Sequence, residues 1–424
     1  EGLQLTARMS LMEELSEQMI MEILLRLPVK TLCCMKSVCR LWRTLISSPD
    51  FTWNHFRRSS LRYPTLTPPR IAYYRCSLTS SGVKSGRIGV LSVQSMLDKV
   101  SDEPTKVACF KGLRYYKICG SSHGLLCLFN DEGSKTHAIL WNPCTGFTFE
   151  SPETHGQVCL SGFGYDHLSD TFKFFGIIKS SVLSGSEYST RVYTFGPTPS
   201  WRRIDDLPNG LPDVGVDDQG VDDNTKGVYF NSGEACTINW SLLGQDNMAL
   251  YFDLGKETYG HFPLPHRVSE NNHYPRRVAP PLCVLSNRLS VCYEDKETKE
   301  WILWQMKEYG DPQSWTVLAR IPFHPQVFYS SREHCLKPLY ISERGLLLAI
   351  TSSFRVVLVN LNDDSFDFPV IDGSMENQPS FPQCLGSGKI YIYHESLVSP
   401  NGVQGNSSKM LLQFIKPKSK AIVS

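Results

Sequence analysis

The chain has 424 residues, of which 41% are apolar and 20% charged, and its formal net charge is +1. That composition excludes a disordered chain, and the near-zero charge supplies no field for nucleic acid or an anionic membrane surface. The length exceeds one ordinary core and implies several units or one large repeat array, while no apolar run reaches the ~20 residues that span a bilayer.

Residues 1–10 lack the apolar core of a secretory signal and read as a leader outside the fold. Residues 11–56 read as a first unit, helical over 15–56. Glu17 to Leu27 contains no Gly or Pro, with Ser16 as its cap and Pro28 as its stop. Gln18, Glu22 and Arg26 lie four apart and form one narrow polar stripe. The remaining positions, including Met19, Ile20, Ile23, Leu24, Leu25 and Leu27, wrap most of the way round, so this helix is buried on more than one face. Leu32, Met35, Val38, Cys39, Trp42, Leu45 and Ile46 continue the helical spacing. A segment of ~40 residues cannot enclose so much apolar surface alone. Its cover is either the rest of this chain or a partner protein.

The stretch LSEQMIMEILLRLPVKTLCCMKSVCRLWRTLISSPDF resembles an F-box, with the ILLRLPVKTL core, the V-C-x-x-W-R element and the closing S-x-P-x-F in order. Leu15-Ser16 stands where that family usually has Leu-Pro, and Ser caps a helix as Pro starts one. The resemblance implies binding to a Skp-type adaptor and, through it, to a cullin scaffold. It puts Leu15, Ile20, Ile23, Leu24, Leu27, Pro28, Leu32 and Trp42 near that interface, without dividing those that face the adaptor from those that face the inner core.

Residues 57–70 are basic and carry Pro64, Pro68 and Pro69, which reads as a linker. Beyond it, short strands alternate with turn residues. Apolar segments start at Leu91, Leu140, Tyr193, Tyr251, Leu303, Leu358 and Leu412, 49 to 58 residues apart. Several lead through a polar turn to an aromatic (Phe147, Trp201, Tyr259, Trp315, Phe366) and then a proline (Pro152, Pro208, Pro263, Pro322, Pro369). This period and pattern predict a propeller of six or seven four-stranded blades over 71–424. GSSHGLLCL, LWNPCTGFTFESP, GFGYDHLSDTFKFFGI, VYTFGPTPSWRRI, YFDLGKETYGHFPLP and MKEYGDPQSWTVLARI resemble the F-box-associated, kelch-like domain of plant F-box proteins. The usual G-V-x-x-N-G-x-L-H-W piece is altered here to GVYFNSGEACTINW.

Sites for chemistry fail on context. Gly120 to Gly124 satisfies G-x-S-x-G, but the next residues read as a strand where a nucleophile elbow needs a helix. His261 and His266 have no third ligand in register, and Gly162-Phe163-Gly164 lacks the third glycine of a dinucleotide loop. The acidic run Asp213 to Asp223 lacks the closing Glu of a calcium loop. The 14 cysteines contain no CxxC pair and read as free thiols of a reducing compartment. Two long connections remain as recognition candidates. Asp205 to Asp223 is acidic, and His266 to Pro281 holds Tyr274, Arg276 and Arg277 as anchors for a protein substrate.

The sequence thus predicts an α+β multidomain chain: a small helical F-box followed by an all-β propeller-like domain. The resemblance implies a non-catalytic substrate receptor of a ubiquitin ligase in the cytoplasm or nucleus. It would use no cofactor or metal and bind neither nucleic acid nor membrane. The rivals are an adaptor-binding protein that delivers nothing for ubiquitination, and a propeller enzyme.

Overall fold

The computed structural model describes residues 17–62, 66–78, 84–98, 106–109, 116–130, 135–182, 185–204, 227–241, 247–265, 280–295, 297–324, 336–351, 355–369, 390–400 and 413–414. Four helices come first: α1 (Glu17–Leu24), α2 (Val29–Met35), α3 (Arg40–Ser47) and α4 (Pro49–Arg62). Ser48 closes α3 and opens α4. Its Oγ donates to Leu45 O at 2.8 Å and accepts from Phe51 N at 3.3 Å, with Pro49 at the first helical position, where its missing N–H costs nothing. The helix α4 runs six residues past Phe56, into the segment read as linker. Arg57 to Arg62 contains no Gly or Pro, and the breaker is Pro64.

The strands form six blades. The first is built from both ends of the chain. Strands β1 (Pro69–Leu78), β2 (Lys84–Ser92) and β3 (Lys106–Cys109) pair with β26 (Ile390–His394), which lies innermost in the order β26-β1-β2-β3. A short helix, α5 (Val93–Leu97), follows β2. The register Ile71↔Ile392 joins sequence ends more than 300 residues apart and removes the open edge a ring would otherwise carry.

The other five blades follow in sequence. Strands β4 (Tyr116–Ser122), β5 (Leu125–Asn130), β7 (Ala138–Trp141) and β8 (Thr148–Glu150) form the second, with β6 (Lys135–Thr136) and β9 (Thr154–His155) as a side pair. The third is β10 (Gln157–Asp166) to β13 (Ser200–Ile204), with β11 (Thr171–Val182) and β12 (Gly185–Phe195) between them. The fourth is β14 (Val228–Asn231), β15 (Cys236–Ser241), β16 (Met248–Asp253) and β17 (Thr258–Pro263). The fifth is β18 (Leu282–Leu285), β19 (Arg288–Asp295), β20 (Glu300–Met306) and β21 (Trp315–Pro322). The sixth is β22 (Leu336–Ile341), β23 (Leu346–Thr351), β24 (Val356–Asn360) and β25 (Ser365–Asp367).

The expected count of six or seven therefore settles at six. The seventh apolar segment, at Leu412, contributes β27 (Gln413–Phe414), which pairs with β3 as a further strand of the first blade. The other six segments all fall at the third strand of a blade: β2, β7, β12, β16, β20 and β24. In three of the six, the polar turn that follows is an Asx turn. Asn142 Oδ1 accepts from Cys144 N at 2.8 Å, Asp253 Oδ1 from Gly255 N at 2.9 Å, and Asn360 Oδ1 from Asn362 N at 3.1 Å. Blade contacts need glycine in β10. A Cβ on Gly162 would stand 2.4 Å from Ile238 Cγ2, and one on Gly164 would stand 2.2 Å from the Tyr229 ring. The GFG stretch is thus a close approach between the third and fourth blades. Among the described residues no helix is long and apolar enough to cross a membrane.

Candidate functional site

The apolar residues of the helical module divide into two sets. Ile20, Leu24, Leu25, Val29, Leu32, Leu45, Ile46 and Phe51 are buried together, with Leu397 from the segment after β26 completing the cluster. His55 Nε2 meets Leu27 O at 2.8 Å and ties α4 to the turn between α1 and α2. Burial pushes the His55 imidazole below its usual range; the Leu27 carbonyl opposes that and Arg58 adds to it. The second set faces solvent: Met19 is 54% exposed, Ile23 51%, Val38 55% and Leu41 44%. Four of the seven large apolar side chains exposed among the described residues therefore sit on this one module. An apolar patch of that kind marks an interaction surface.

Of the residues placed near an adaptor from the sequence, Ile20, Leu24 and Leu32 are enclosed by the protein's own core. Ile23 and Pro28 lie on the surface, and Leu27 and Trp42 are half-buried. Leu15 lies outside the described residues. The physical reason is helical spacing. Ile20 and Leu24 share one face of α1 and turn toward α4, while Met19 and Ile23 share the next and turn outward. Met19, Val38 and Leu41 complete the exposed set. The Met19–Ile23 spacing was the available signal for a second stripe.

The rear of the module is clamped to the propeller. The Trp53 ring on α4 lies 5.1 Å from Tyr165 and 5.4 Å from His123, and Phe56 lies 4.6 Å from His123. Burial, with His167 adding to it, holds the His123 imidazole down to about 3. Ser396 Oγ donates to His123 O at 2.6 Å, and Asn142 Nδ2 donates to Val398 O at 2.9 Å. Cys33 on α2 approaches the Cys144 carbonyl at 3.8 Å. The G-x-S-x-G match lies inside this clamp. It is the β4–β5 hairpin, with His123 at φ +53° and Gly124 at φ +81° in the turn, and Ser122 Oγ is 2.8 Å from His123 Nδ1. A strand follows where the nucleophile elbow requires a helix.

Strand polarity fixes which end of the propeller the module occupies. In an antiparallel four-stranded blade the first and third turns share one face, and the second turn and the connection to the next blade share the other. His123 (β4–β5), Cys144 (β7–β8) and His167 (β10–β11) all belong to first or third turns. The helices therefore cover the hairpin-turn face, and the blade-to-blade connections leave from the opposite one. Ile204 and Gly227, and Pro265 and Pro280, are the described ends of two such connections. The acidic run and Tyr274, Arg276 and Arg277 fall between them, outside the described residues.

A cavity of about 180 Å³ opens along the propeller axis on that opposite face. It is bounded by residues at the inner strands β4, β14, β18, β22 and β26 and by Asn239 and Ser241 of β15. No group of three or more His, Cys, Asp or Glu side chains among the described residues is arranged to hold a metal ion.

Two family descriptions match the sequence: an F-box domain over residues 12–54 and an F-box associated beta propeller domain over residues 76–362. An F-box/kelch-repeat protein of Arabidopsis thaliana is 27% identical over 396 residues, which are 91% of this chain and 95% of that protein. Two putative F-box proteins of the same plant are each 24% identical, covering 75% and 77% of this chain and 82% and 83% of their own lengths.

Proposed function

This chain belongs to the F-box-associated β-propeller family, and from that premise we propose that it is the substrate receptor of a ubiquitin ligase built on a Skp-type adaptor and a cullin. The observation that carries this reading is the exposed apolar set Met19, Ile23, Val38 and Leu41, on a module whose other side is already occupied by its own core and by the propeller. Half-buried Leu27 and Trp42 and exposed Pro28 belong to the same module. An adaptor would cover this patch. The substrate would be bound at the far face of the propeller; Tyr274, Arg276 and Arg277, read from the sequence as its anchors, lie outside the described residues.

The mechanism is recruitment. A substrate held on the same rigid body as the adaptor meets a charged ubiquitin-conjugating enzyme at high effective concentration. No residue of this chain need touch the reacting bond. The work belongs in the cytoplasm or nucleus, where the adaptor and scaffold are found. The test is reconstitution of the full chain with adaptor, cullin and conjugating enzyme. Adaptor co-purification followed by ubiquitin transfer to a captured protein supports the reading. Failure to co-purify removes it, and co-purification without any transfer reduces the chain to an adaptor-binding interaction protein.

A further inference from the structure

We infer that residues 395–400, the segment leaving β26, form a strap that makes adaptor docking depend on closure of the propeller ring. This deepens the receptor reading and rests on it for the adaptor. Closure is what delivers the strap. The register Pro69↔His394 brings the chain out of the closing strand on the hairpin-turn face, where the helices sit. Arg70 Nε donates to Glu395 Oε1 at 2.9 Å, and His394 Nδ1 meets Thr67 O at 2.9 Å. The root of the strap is thereby fixed to the connection between α4 and β1. With β26 unpaired, nothing in that register would hold it there.

Three successive strap residues are then buried: Ser396 is 0% exposed, Leu397 3% and Val398 0%. They serve different bodies. Val398 belongs to the apolar cluster of the second and third blades, with Cys119 and Phe163. Leu397 belongs to the core of the helical module, with Ile20, Leu24 and Leu32. The propeller side is held by hydrogen bonds. Asn142 Nδ2 donates to Ser396 O at 3.1 Å and to Val398 O at 2.9 Å, and Ser396 Oγ donates to His123 O at 2.6 Å. A Cβ on Gly124 would stand 2.3 Å from Ser396 Oγ, so the β4–β5 turn leaves room for the strap only as glycine.

The helices need that cover. At 8, 7, 8 and 14 residues they are too short to persist alone, and their order comes from the core they share. The helix α4 has an aromatic hold of its own through Trp53 and Phe56. The helix α1 carries Met19 and Ile23 outward and is oriented by Ile20 and Leu24, which lie in the cluster that Leu397 completes. An open ring withdraws Leu397 and loosens the face that α1 presents. Coupling of this kind is reciprocal. An adaptor that holds α1 and α2 in order also favours the seated strap and the closed ring, and so selects chains whose propeller is complete.

The test is hydrogen exchange, read by mass spectrometry on the full chain with and without a Skp-type adaptor. Without adaptor, Leu397→Ser should speed exchange in residues 17–35 about tenfold and leave blades three to five at the wild-type rate, while Leu397→Met should match wild type. Asn142→Asp keeps the acceptor that holds the β7–β8 turn and deletes both donors to the strap, so it should loosen residues 17–35 from the propeller side. Leu397→Ser and Asn142→Asp should each weaken adaptor co-purification severalfold. In wild type, adaptor should slow exchange across residues 390–398, and Leu397→Ser should remove most of that slowing. Wild-type exchange of residues 17–35 in Leu397→Ser overturns the inference. So does equal acceleration in every blade, which would make Leu397 ordinary core, and so does full adaptor binding by a variant whose strap is loose. Failure of the wild type to bind adaptor removes the receptor reading and the adaptor half of this inference with it; faster exchange of residues 17–35 in Leu397→Ser would still establish the strap's hold on the module.

Discussion

The indole Nε1 of Trp315 donates to the carbonyl of Pro263 at 3.3 Å, joining the outer strand of the fifth blade to the end of the fourth. Two blades earlier, Trp201 makes the same bond to Pro152 at 2.8 Å. At these two places the aromatic and the closing proline, which recur separately along the sequence, are two halves of one inter-blade contact. Trp315→Phe keeps the ring and deletes the donor, and should lower stability by about 1 kcal/mol. Trp315→Ala should cost about 3–5 kcal/mol, because the side chain is 9% exposed and leaves a cavity. Denaturant midpoints of the three proteins check both; equal midpoints for wild type and Trp315→Ala would contradict the contact's role.

The third and fourth blades are also joined through charge. Lys173 is 5% exposed, and its Nζ lies 2.9 Å from Asp166 Oδ2 and 3.0 Å from Glu257 Oε1 while donating to Leu254 O at 2.7 Å. Burial pushes the Asp166 carboxyl up, but hydrogen bonds from Ser169, Lys173 and the Leu168 amide outweigh it and leave the group below its ordinary range. Lys173→Met leaves that carboxylate buried without its cation and should cost about 3–5 kcal/mol. Adding Asp166→Asn should recover part of the loss. A double variant no more stable than the single would argue against a coupled pair.

The clamp between α4 and the propeller predicts acid sensitivity. His123 is held down to about 3, against an unfolded value near 6.5. The folded state therefore binds fewer protons than the unfolded state between those values. The sign follows: no cost above pH ~6.5, then stability falling by at most about 1.4 kcal/mol per pH unit as pH drops toward ~3. His55, also shifted down, adds to the loss. His123→Asn removes the titration and tolerates the left-handed turn, so its melting temperature should be lower at pH 7.5 but decline less steeply toward pH 5. Parallel pH profiles for the two proteins would place the acid sensitivity elsewhere.

The propeller was legible because its strongest signals are local. Three of the six third strands run into an Asn or Asp because the turn to the fourth strand is an Asx turn, at Asn142, Asp253 and Asn360. The signal was loose in detail. In the second blade the aromatic that packs on the neighbouring blade is Phe149, 5.9 Å from Phe195, rather than Phe147. Ring closure was not legible, since pairing Ile71 with Ile392 leaves no mark within either strand. Leu412 matched the period without forming a blade for the same reason. In the F-box, composition located an apolar excess but not its direction, because residues bound for the core and for a partner are chemically alike. The burial of Ile20 beside the exposure of Met19 is a tertiary fact.

That division gives the last prediction. Ile23 and Leu41 are 51% and 44% exposed, so charge at either position disturbs no core. Ile23→Asp and Leu41→Asp should leave the melting temperature within a degree or two of wild type. Each should weaken adaptor co-purification, an apolar anchor at an interface being worth on the order of 2 kcal/mol. Leu24 and Leu32 are fully buried, so Leu24→Ala should instead destabilise the module by about 2–5 kcal/mol. It would affect the adaptor only as far as the module unfolds. Leu27 and Pro28 lie at the margin, and their double replacement by Ala should combine a smaller stability loss with weakened binding. The measurements are thermal melts and quantitative co-purification on the same preparations. Full adaptor binding by both Asp variants, with Leu24→Ala alone impaired, would show that the exposed set is not the docking surface.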